Sequence, residues 1–574
     1  MGWVLSCEMG QTSRCRSRSA EEKAALSHAL RGEREADLAQ SETPCTWRSP
    51  LYGTWEVSFA PGRHAGTIHE GRNRTVNMHA DEKSDKVIVP KKQPNNGEYS
   101  PAEAVEGRTL PKGNTGQATA VRTLSRVAAS SGLAGVRQVA RQGKDVQFTA
   151  LLHHITVPLL ADSYYALKRG SAPGIDGITW QAYGNNLYGK LIELHSRIHA
   201  GCYRARPARR TMIPKADGSE RPLNILCLED KIVQQAVVYV LEAIYEADFM
   251  GFSYGFRPGR GQHDALDAVS VGILRKPINW VLDADIQRFF DAMDHDWIMK
   301  LLQHRIGDKR LLRLIRKWLK VGVMNGDHAE RNEVGSPQGA VISPILANIY
   351  LHYAFDLWAH TWRQRRASGD VIIIRYADDV VLGFEHEADA QLFQQHLHQR
   401  LKAFELNLHP DKTRLIRFGR HAIRDRKRLG LRKPETFDFL GFTHYCSMAR
   451  RSGNFIIVRK TIKKRLRATL KRIKAELRRR LHDSVVDTGK WLSRVLQGHL
   501  NYFSVSGNSP SIWLFFTEVR KLWLKSLRRR SQKAYINWGN FVRITNRFFP
   551  RIRLLHPHPC YRFDARTRGR SPVR

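Results

Sequence analysis

Acidic residues and cysteines are both scarce in this chain of 574 residues. Asp and Glu number 54 against 94 Lys and Arg, which leaves a formal net charge of +40. The seven cysteines are scattered and form no C-x-x-C pair, which argues against a disulfide framework and against a cysteine zinc site. Such cysteine usage is typical of a reduced cytosol, so we expect a cytoplasmic location.

Long apolar segments are also missing. No stretch of about 18 apolar residues is available to span a bilayer, and Met1–Gly10 lacks the basic region and apolar run of a signal peptide. We therefore expect no membrane association. The excess of positive charge favours a polyanionic partner. Because basic residues alternate with aromatic and apolar positions, nucleic acid is favoured over an anionic membrane surface.

The composition changes along the chain. Residues 1–120 mix Gly, Pro, Asn, Ser and charges without periodicity, so we expect them to be largely disordered, unless the start codon is chosen wrongly. From about residue 121 the pattern becomes globular, and its irregular mixture of helices and strands favours an α+β fold. The predicted helices are 148–168, 229–247, 262–275, 296–320 and 386–405, and the predicted strands are 209–214, 279–285, 371–377 and 380–384.

After about residue 455 the chain becomes helical and strongly basic. Between Arg459 and Asp483, apolar residues recur every three or four positions, which predicts an amphipathic helix. Its other faces carry Lys and Arg, opposed by little more than Glu476. A solvated face is the ordinary reading of such a run, but so dense a charge of one sign favours contact with phosphates.

Two adjacent aspartates interrupt a strongly strand-like region. Asp378 and Asp379 lie between two runs rich in β-branched residues, bounded by Gly369 and Gly383. Carboxylates at the apex of a hairpin repel each other, and a pair of divalent cations would remove that repulsion. A third carboxylate, Asp285, stands where another apolar strand is predicted to end.

Seven motifs, in order from about residue 148 onwards, make the chain resemble a group II intron-encoded reverse transcriptase/maturase. The motifs are Ile213-Pro214-Lys215 with Arg221-Pro222-Leu223, Ser253-Tyr254-Gly255-Phe256-Arg257-Pro258-Gly259, the Asp285 strand, Gly335-Ser336-Pro337-Gln338-Gly339-Ala340-Val341-Ile342-Ser343-Pro344, Tyr376-Ala377-Asp378-Asp379, Leu408-His409-Pro410-Asp411-Lys412-Thr413, and Phe439-Leu440-Gly441-Phe442. Two departures from the family pattern, Gly339-Ala340 and Gln287-Arg288, do not involve the aspartates.

The resemblance implies a right-hand polymerase fold of class α+β. It divides the chain into fingers and palm at 121–450, a helical thumb or maturase domain at 451–530, and a small basic DNA-binding segment at 531–574. It also implies two Mg²⁺ ions, with Asp285 and Asp378 as main ligands, Asp379 in support, and the backbone carbonyl of Ile286 completing a coordination sphere. The alternative for the aspartates is a turn pair and a helix cap.

Further positions are implied to contact the incoming nucleotide. Lys215 and Arg221 would grip its triphosphate, although surface cations on a hairpin would look the same. Phe290 would stack against the sugar 2′-position, unless it is plain core packing or Phe289 takes the role.

Two further implied contacts have equally plain alternatives. Gln338 would lie along the template or nucleotide floor, or would simply begin a helix. Lys412 would lie near the active site, or would be an ordinary surface lysine.

The remaining implied contacts are to nucleic acid. Gly441 lies in a predicted strand, Phe439–Phe442, where the backbone would approach the primer or would only pack in the core. The other implied contacts are cations, namely Lys463, Lys464, Arg467, Lys471, Arg478, Arg528 and Arg529. Aromatic residues among the arginines near the C-terminus suit stacking on unpaired bases, with a solvated tail as the alternative.

We predict an RNA-directed DNA polymerase that binds its own group II intron RNA, assists splicing and copies the intron into DNA during retrohoming. Its partners would be intron RNA, a DNA target, the template–primer duplex and dNTPs, in a bacterial cytosol or at the nucleoid. The alternatives are an RNA-binding splicing factor with little polymerase activity, and a retron or defence reverse transcriptase, which the long region after residue 455 disfavours. Ligand spacing in His556-Pro557-His558-Pro559-Cys560 does not suit a metal, so we expect no zinc-linked endonuclease.

Overall fold

The fold is taken from a computed structural model, which describes residues 93–94, 132–214, 220–325, 328–330, 334–336, 339–530 and 536–567. Thirteen strands are present in these residues. In chain order they are β1 Gln93–Pro94, β2 Val146–Gln147, β3 Ala208–Pro214, β4 Glu220–Ile225, β5 Trp280–Asp285, β6 Val323–Asn325, β7 His328–Glu330, β8 Val371–Tyr376, β9 Asp379–Phe384, β10 Arg414–Arg417, β11 Phe437–Phe439, β12 Phe442–Met448 and β13 Phe455–Thr461.

Helices connect and cover these strands. In chain order they are α1 (132–142), α2 Val157–Ala166, α3 Trp180–Gly184, α4 Leu187–His199, α5 Leu228–Asp248, α6 Gln262–Arg275, α7 Phe289–Ala292, α8 His295–Gln303, α9 Lys309–Lys320, α10 Ser343–Leu351, α11 Leu357–Arg365, α12 Glu387–Lys402, α13 Ala422–Arg428, α14 Lys463–Arg479, α15 Val485–Phe503, α16 Ser509–Arg528, α17 Trp538–Phe548 and α18 Pro559–Thr567. Within the described ranges, no helix combines the length and apolar composition needed to cross a membrane.

The central sheet has the strand order β10-β5-β9-β8, and all its neighbours are antiparallel. Because side chains alternate across a strand, β5 places Leu282 in one core cluster and Val281 in another. The β-branched runs of β8 and β9 are buried in the same way on both faces. The central sheet is therefore covered by apolar residues on both faces, and the acidic residues of β5 lie in its second half.

Two further sheets have four and three strands. Strands β3 and β4 form an antiparallel hairpin that continues through β6 to β7. Strands β11, β12 and β13 form an antiparallel meander. Beyond it, α14, α15, α16 and α17 enclose a separate core that contains Ile473, Leu496 and the fully buried Trp523.

Several predicted elements agree closely with these bounds, including α5, α6 and three strands of the central sheet, β5, β8 and β9; the fourth strand, β10, was not predicted. The helix predicted at 148–168 is wrong in its first half. It begins at Val157, where the Thr156 side chain accepts a hydrogen bond from Leu159 N and a proline opens the first turn. Phe148 instead forms a bridge with Ile306.

The helix predicted at 296–320 is two helices, α8 and α9. The break has a cause in Asp308, whose carboxylate caps α9 by accepting from Arg310 N and Leu311 N. Its other oxygen accepts from the backbone N–H groups of Leu151 and Leu152. The apolar periodicity continues through the break, which is why the pattern hides it.

Two boundaries near residue 450 are also wrong. Arg459 belongs to β13, so the basic helix starts only at Lys463 and ends at Arg479. Phe439–Phe442 is a hairpin turn, because β11 ends at Phe439 and β12 starts at Phe442. The two turn residues, Leu440 and Gly441, have positive φ angles of 45° and 88°, as a type I′ hairpin turn requires.

Candidate active site

Strand register brings the predicted aspartates together. Asp285 ends β5 and is the cross-strand partner of Asp379, which begins β9. The Asp285 carbonyl accepts from His409 N on the opposite side, at 2.8 Å, so the Asp285–Asp379 pair is of the closer, non-hydrogen-bonded kind. Asp378 lies one residue before Asp379, in the two-residue turn that connects β8 and β9. All three aspartates therefore stand at one end of the central sheet.

Burial and neighbouring carboxylates raise the pKa values of Asp379 and Asp283. Surrounding protein atoms, and then the negative charges of Asp378 and Asp285, raise the pKa of Asp379 to about 6. The Asp379 side chain is nevertheless exposed at the surface, so water screens part of this repulsion. Asp283, on the same face of β5, has a pKa raised to about 7, first by burial and then by Asp379, Asp285 and Asp438, against the opposing charge of Arg414.

Lys412 lies at this site rather than at a remote surface. Its Nζ is 3.0 Å from Asp285 Oδ2, although its side chain is largely exposed. The loop that carries it is held to β5 through the hydrogen bond from His409 N to the Asp285 carbonyl. An exposed ion pair of this kind contributes little to the stability of the fold. What matters for the site is that the Lys412 charge lies beside the Asp285 carboxylate.

The donor set suits magnesium chemically. Carboxylate and backbone carbonyl oxygens are the ligands that Mg²⁺ prefers, and the Ile286 carbonyl faces the β9 side because its neighbour Asp285 faces the other way. Among the described residues, no three His, Cys, Asp or Glu side chains already converge as a complete metal site.

The two adjacent phenylalanines have different environments. Phe289 is buried in the core, with its ring 6.2 Å from that of Tyr350. Phe290 is only partly buried, and its carbonyl accepts from Ser336 N at 2.8 Å. Of the two phenylalanines, Phe290 is therefore the one whose ring is accessible to a ligand.

The motif that contains Gln338 has a close backbone contact on each side of that residue, at Gly335 and at Gly339. A Cβ at Gly335 would lie 2.9 Å from the Asp291 carbonyl oxygen, and one at Gly339 would lie 2.6 Å from the Asn224 carbonyl oxygen. Both glycines have positive φ angles, of 88° and 107°. The motif thus bridges the residues after β5 and the β3–β4 hairpin.

Three of the predicted nucleotide contacts are less completely placed. Lys215 and Gln338 lie outside the described residues. Arg221 lies in β4, opposite Ile213, but its side chain is outside the described part. The pairing of β3 with β4 agrees with the hairpin that their sequence predicts.

Gly441 and Arg465 meet next to the aspartates. A Cβ at Gly441 would come within 2.8 Å of Arg465 Nη1, and the Tyr502 hydroxyl donates to the Leu440 carbonyl at 2.7 Å. The charge of Arg465 lowers the pKa of Asp379, against the larger effects of burial and the neighbouring aspartates. Sequence analysis did not single out Arg465, because only tertiary packing distinguishes it from the many other cations of α14.

The other predicted nucleic-acid contacts are exposed. On α14, Lys463, Arg467, Lys471 and Arg478 recur at spacings that place them along one side of the helix, and Lys464 lies beside them. Arg478 and Arg529 line one groove between α14 and α16, together with Lys474 and Lys525. Arg528 is exposed and donates to the Ile536 carbonyl at 3.1 Å.

The C-terminal helix is held against α6 by ion pairs. Asp267, which is 1% exposed, pairs with both Arg459 and Arg562. Arg566 pairs with Asp264 in the same interface. These arginines of the predicted DNA-binding segment are therefore engaged with the protein itself.

A family model described as "Reverse transcriptase (RNA-dependent DNA polymerase)" matches residues 213–444. Protein YkfC of Escherichia coli (strain K12) is 33% identical over 303 residues, which cover 46% of this chain and 79% of that protein. The chain belongs to the reverse transcriptase family. The predicted enzyme class, RNA-directed DNA polymerase, is thereby confirmed, as is the resemblance to the intron-encoded members of the family.

Two more relatives carry intron-related names. Group II intron-encoded protein LtrA of Lactococcus lactis subsp. cremoris is 34% identical over 220 residues, covering 37% of this chain and 36% of that protein. Nuclear intron maturase 1, mitochondrial, of Arabidopsis thaliana is 32% identical over 105 residues, covering 18% and 14%. This reverse transcriptase thus spans little more than a third of LtrA. Its mixed helices and sheets agree with the right-hand polymerase fold of the family.

Proposed function

We propose that this reverse transcriptase binds a group II intron RNA, assists its splicing and copies it into DNA by two-metal nucleotidyl transfer at Asp285, Asp378 and Asp379. The observation that carries the proposal is the cross-strand pairing of Asp285 with Asp379, one residue from Asp378. The intron-related names of the matched relatives support the choice of RNA.

The proposed chemistry assigns each carboxylate a task. Two bound Mg²⁺ ions would activate the primer 3′-hydroxyl and neutralise the departing pyrophosphate. Asp285, at the end of β5, and Asp378, in the turn between β8 and β9, would hold the metal ions, and Asp379 would support them. The Ile286 carbonyl would supply a neutral oxygen. Lys412, beside Asp285, is placed to screen negative charge as the triphosphate enters.

The nucleotide would be gripped by Lys215 and Arg221 of the β3–β4 hairpin, with Gln338 along its floor and Phe290 against its sugar. The glycines of the Gln338 motif, which pack on both the hairpin and the residues after β5, support a shared pocket. Gly441 and Arg465 would meet the primer strand next to the metal-binding aspartates. In this proposal, 121–450 form fingers and palm.

The helical region would clamp the template–primer duplex and dock intron RNA as the thumb, at 451–530. The support is the exposed stripe of cations on α14 and the groove shared by Arg478 and Arg529. Positive charge along an extended helix face suits phosphate contacts that do not depend on sequence. DNA contact by 531–574 would then involve residues other than Arg562 and Arg566, which pair with α6.

Primer extension and splicing, measured on the same protein, test this function. With Mg²⁺, dNTPs and an RNA template, purified protein should extend a DNA primer, and it should also accelerate splicing of its intron RNA. Extension without any effect on splicing would remove the maturase role. Splicing without extension would favour the alternative of an RNA-binding splicing factor.

Replacing Phe290 by Val should relax discrimination between deoxyribonucleotides and ribonucleotides. The ring would no longer occupy the space next to the sugar 2′-position, and losing such a steric contact is worth about 10- to 200-fold. We expect the ratio of kcat/KM for dATP over ATP to fall by at least about tenfold. Single-nucleotide incorporation measures it, and an unchanged ratio would contradict the role of Phe290.

Removing the two groove arginines should weaken RNA binding in a salt-dependent way. The double variant Arg478→Ala/Arg529→Ala is expected to lower the slope of log Kd against log salt by about 1 to 2, because up to two phosphate contacts are lost. Filter binding of intron RNA at several salt concentrations measures it. The control is Lys521→Ala, an exposed lysine of α16 that does not line the groove and is paired with Glu518 at 3.1 Å. If both proteins have the same slope, the groove does not contact RNA.

A further inference from the structure

Arg375 is a fully buried cation directly before the candidate catalytic turn. Its side chain is 0% exposed, and it lies in β8 one residue before Tyr376. The guanidinium pairs with both carboxylate oxygens of Asp356, through Nε at 2.7 Å and Nη2 at 2.6 Å. Asp356 is also 0% exposed, so this is an ion pair removed from water.

The remaining donors of Arg375 reach the turn and its surroundings. Nη1 donates to the Ala377 carbonyl at 3.0 Å and to Asn348 Oδ1 at 3.1 Å. Nη2 also donates to Ser253 Oγ at 2.8 Å. A guanidinium has five N–H donors, and all five are used here. One of them holds the carbonyl of the residue immediately before Asp378.

That residue has an unfavourable backbone. Ala377 has a φ angle of 57°, in the left-handed region that residues with a side chain rarely adopt. Such a conformation persists only where neighbouring groups impose it. The hydrogen bond from Arg375 to the Ala377 carbonyl is one such constraint.

A second constraint comes from the residues before α6. The Arg375 backbone pairs with this segment through Phe252 O and Tyr254 N, at 2.9 and 2.8 Å. Asn348 Nδ2 donates to the Gly255 carbonyl at 2.8 Å, which links the segment to the same network. A Cβ at Gly255 would lie 2.3 Å from Ala377 N, so the turn packs directly on a glycine.

The position of Asp356 also depends on an irregular helix. Residues His352–Asp356 form a π turn between α10 and α11, and Asp356 is its last residue. An extra residue in a helical turn changes the direction of the side chains that follow, and such turns are frequent at functional sites. Removing water from an ion pair costs as much as the pair returns, so stability alone is a weak reason for it.

We propose that Arg375 and Gly255 are positioning residues that hold the Ala377–Asp378 turn in the geometry needed for metal binding. The inference rests on the proposed function of Asp378 as a metal ligand. It adds that the buried network of Asp356, Asn348 and Ser253 acts on the reaction through Arg375. Neither Arg375 nor Gly255 would touch the substrate.

The test is primer extension at a series of Mg²⁺ concentrations, with template–primer affinity measured separately. Arg375→Lys keeps the charge but has three donors in place of the planar fork. We expect its maximal rate to fall by about a hundredfold, as for a small misplacement of a reacting group. The Mg²⁺ concentration for half-maximal rate should rise, while the Kd for template–primer stays unchanged.

The matched control is Arg305→Lys. Arg305 is also 0% exposed, lies 2.9 Å from Asp248, and donates to the carbonyls of Gly143 and Val146. It makes none of these bonds to the turn, so Arg305→Lys should lower the melting temperature without changing the Mg²⁺ requirement. If Arg305→Lys raised the Mg²⁺ concentration for half-maximal rate as much as Arg375→Lys does, the cause would be general destabilisation. That result would overturn the inference.

Gly255→Ala decides the case if Arg375→Lys does not fold. The added methyl group would collide with the Ala377 backbone nitrogen. We therefore expect the same rise in the Mg²⁺ concentration for half-maximal rate. Wild-type Mg²⁺ dependence in whichever of the two variants folds would overturn the inference. Activity in Asp378→Ala, by contrast, would overturn the proposed function itself, so the two failures are distinguishable.

Discussion

Asp378→Ala is expected to abolish primer extension while leaving intron RNA binding intact. The variant removes a proposed metal ligand from the turn between β8 and β9. Bound metal ions would stabilise the charge of the transition state by several kcal/mol. At 1.36 kcal/mol per tenfold in rate, a loss of about 4 kcal/mol is a fall of about a thousandfold. Single-turnover extension with saturating Mg²⁺ and dNTP measures it.

A neighbouring carboxylate provides the control. Asp283 lies two residues before Asp285 on the same face of β5, and it pairs loosely with Arg414 at 3.8 Å. It has no proposed role as a metal ligand, so Asp283→Asn should retain most of the extension rate. Extension by Asp378→Ala at a rate near that of the unmodified protein would overturn the metal assignment. Loss of RNA binding in that variant would instead indicate misfolding.

Asp267→Ala should cause the largest loss of stability among simple substitutions at the C-terminal interface. Asp267 is the shared partner of Arg459, which is 2% exposed, and of Arg562 on α18. Removing one side of a buried ion pair leaves uncompensated charge and costs about 3–5 kcal/mol. Two arginines would lose their partner here. Urea unfolding, followed by tryptophan fluorescence and by circular dichroism, measures the change.

The matched control lies on the same two helices. Arg275 of α6 pairs with Asp564 of α18 through two hydrogen bonds of 2.8 and 2.6 Å, but both side chains are about half exposed, at 48% and 47%. Water screens such a pair, so Arg275→Ala should destabilise far less. Equal losses for the two variants would mean that the buried triad does not hold α18 in place.

The sequence predicted the parts of the fold that depend on local preference. The β-branched runs predict β8 and β9 to within a residue at each end, and periodicity predicts α6 with both of its ends. Both signals arise from neighbouring residues along the chain. At Asp308, which caps α9, the boundary was wrong because the apolar periodicity continues through the break between α8 and α9.

The candidate site was predicted through its motifs rather than through its geometry. The order of the seven motifs pointed to the family, and the family model agrees over residues 213–444. The structure adds the register that places Asp285 opposite Asp379. It also adds Arg465, which no local pattern separates from the other cations of its helix.

By itself, then, the amino-acid sequence determined the family, the basic character and the strands that carry the aspartates, because these depend on composition and short-range pattern. Only tertiary structure decided that Arg375 is buried beneath the turn and that Arg562 pairs with Asp267 rather than with solvent. The physical reason is that the partner of a charged side chain depends on which distant segment folds against it. A pattern of charges along one helix contains no information about that segment.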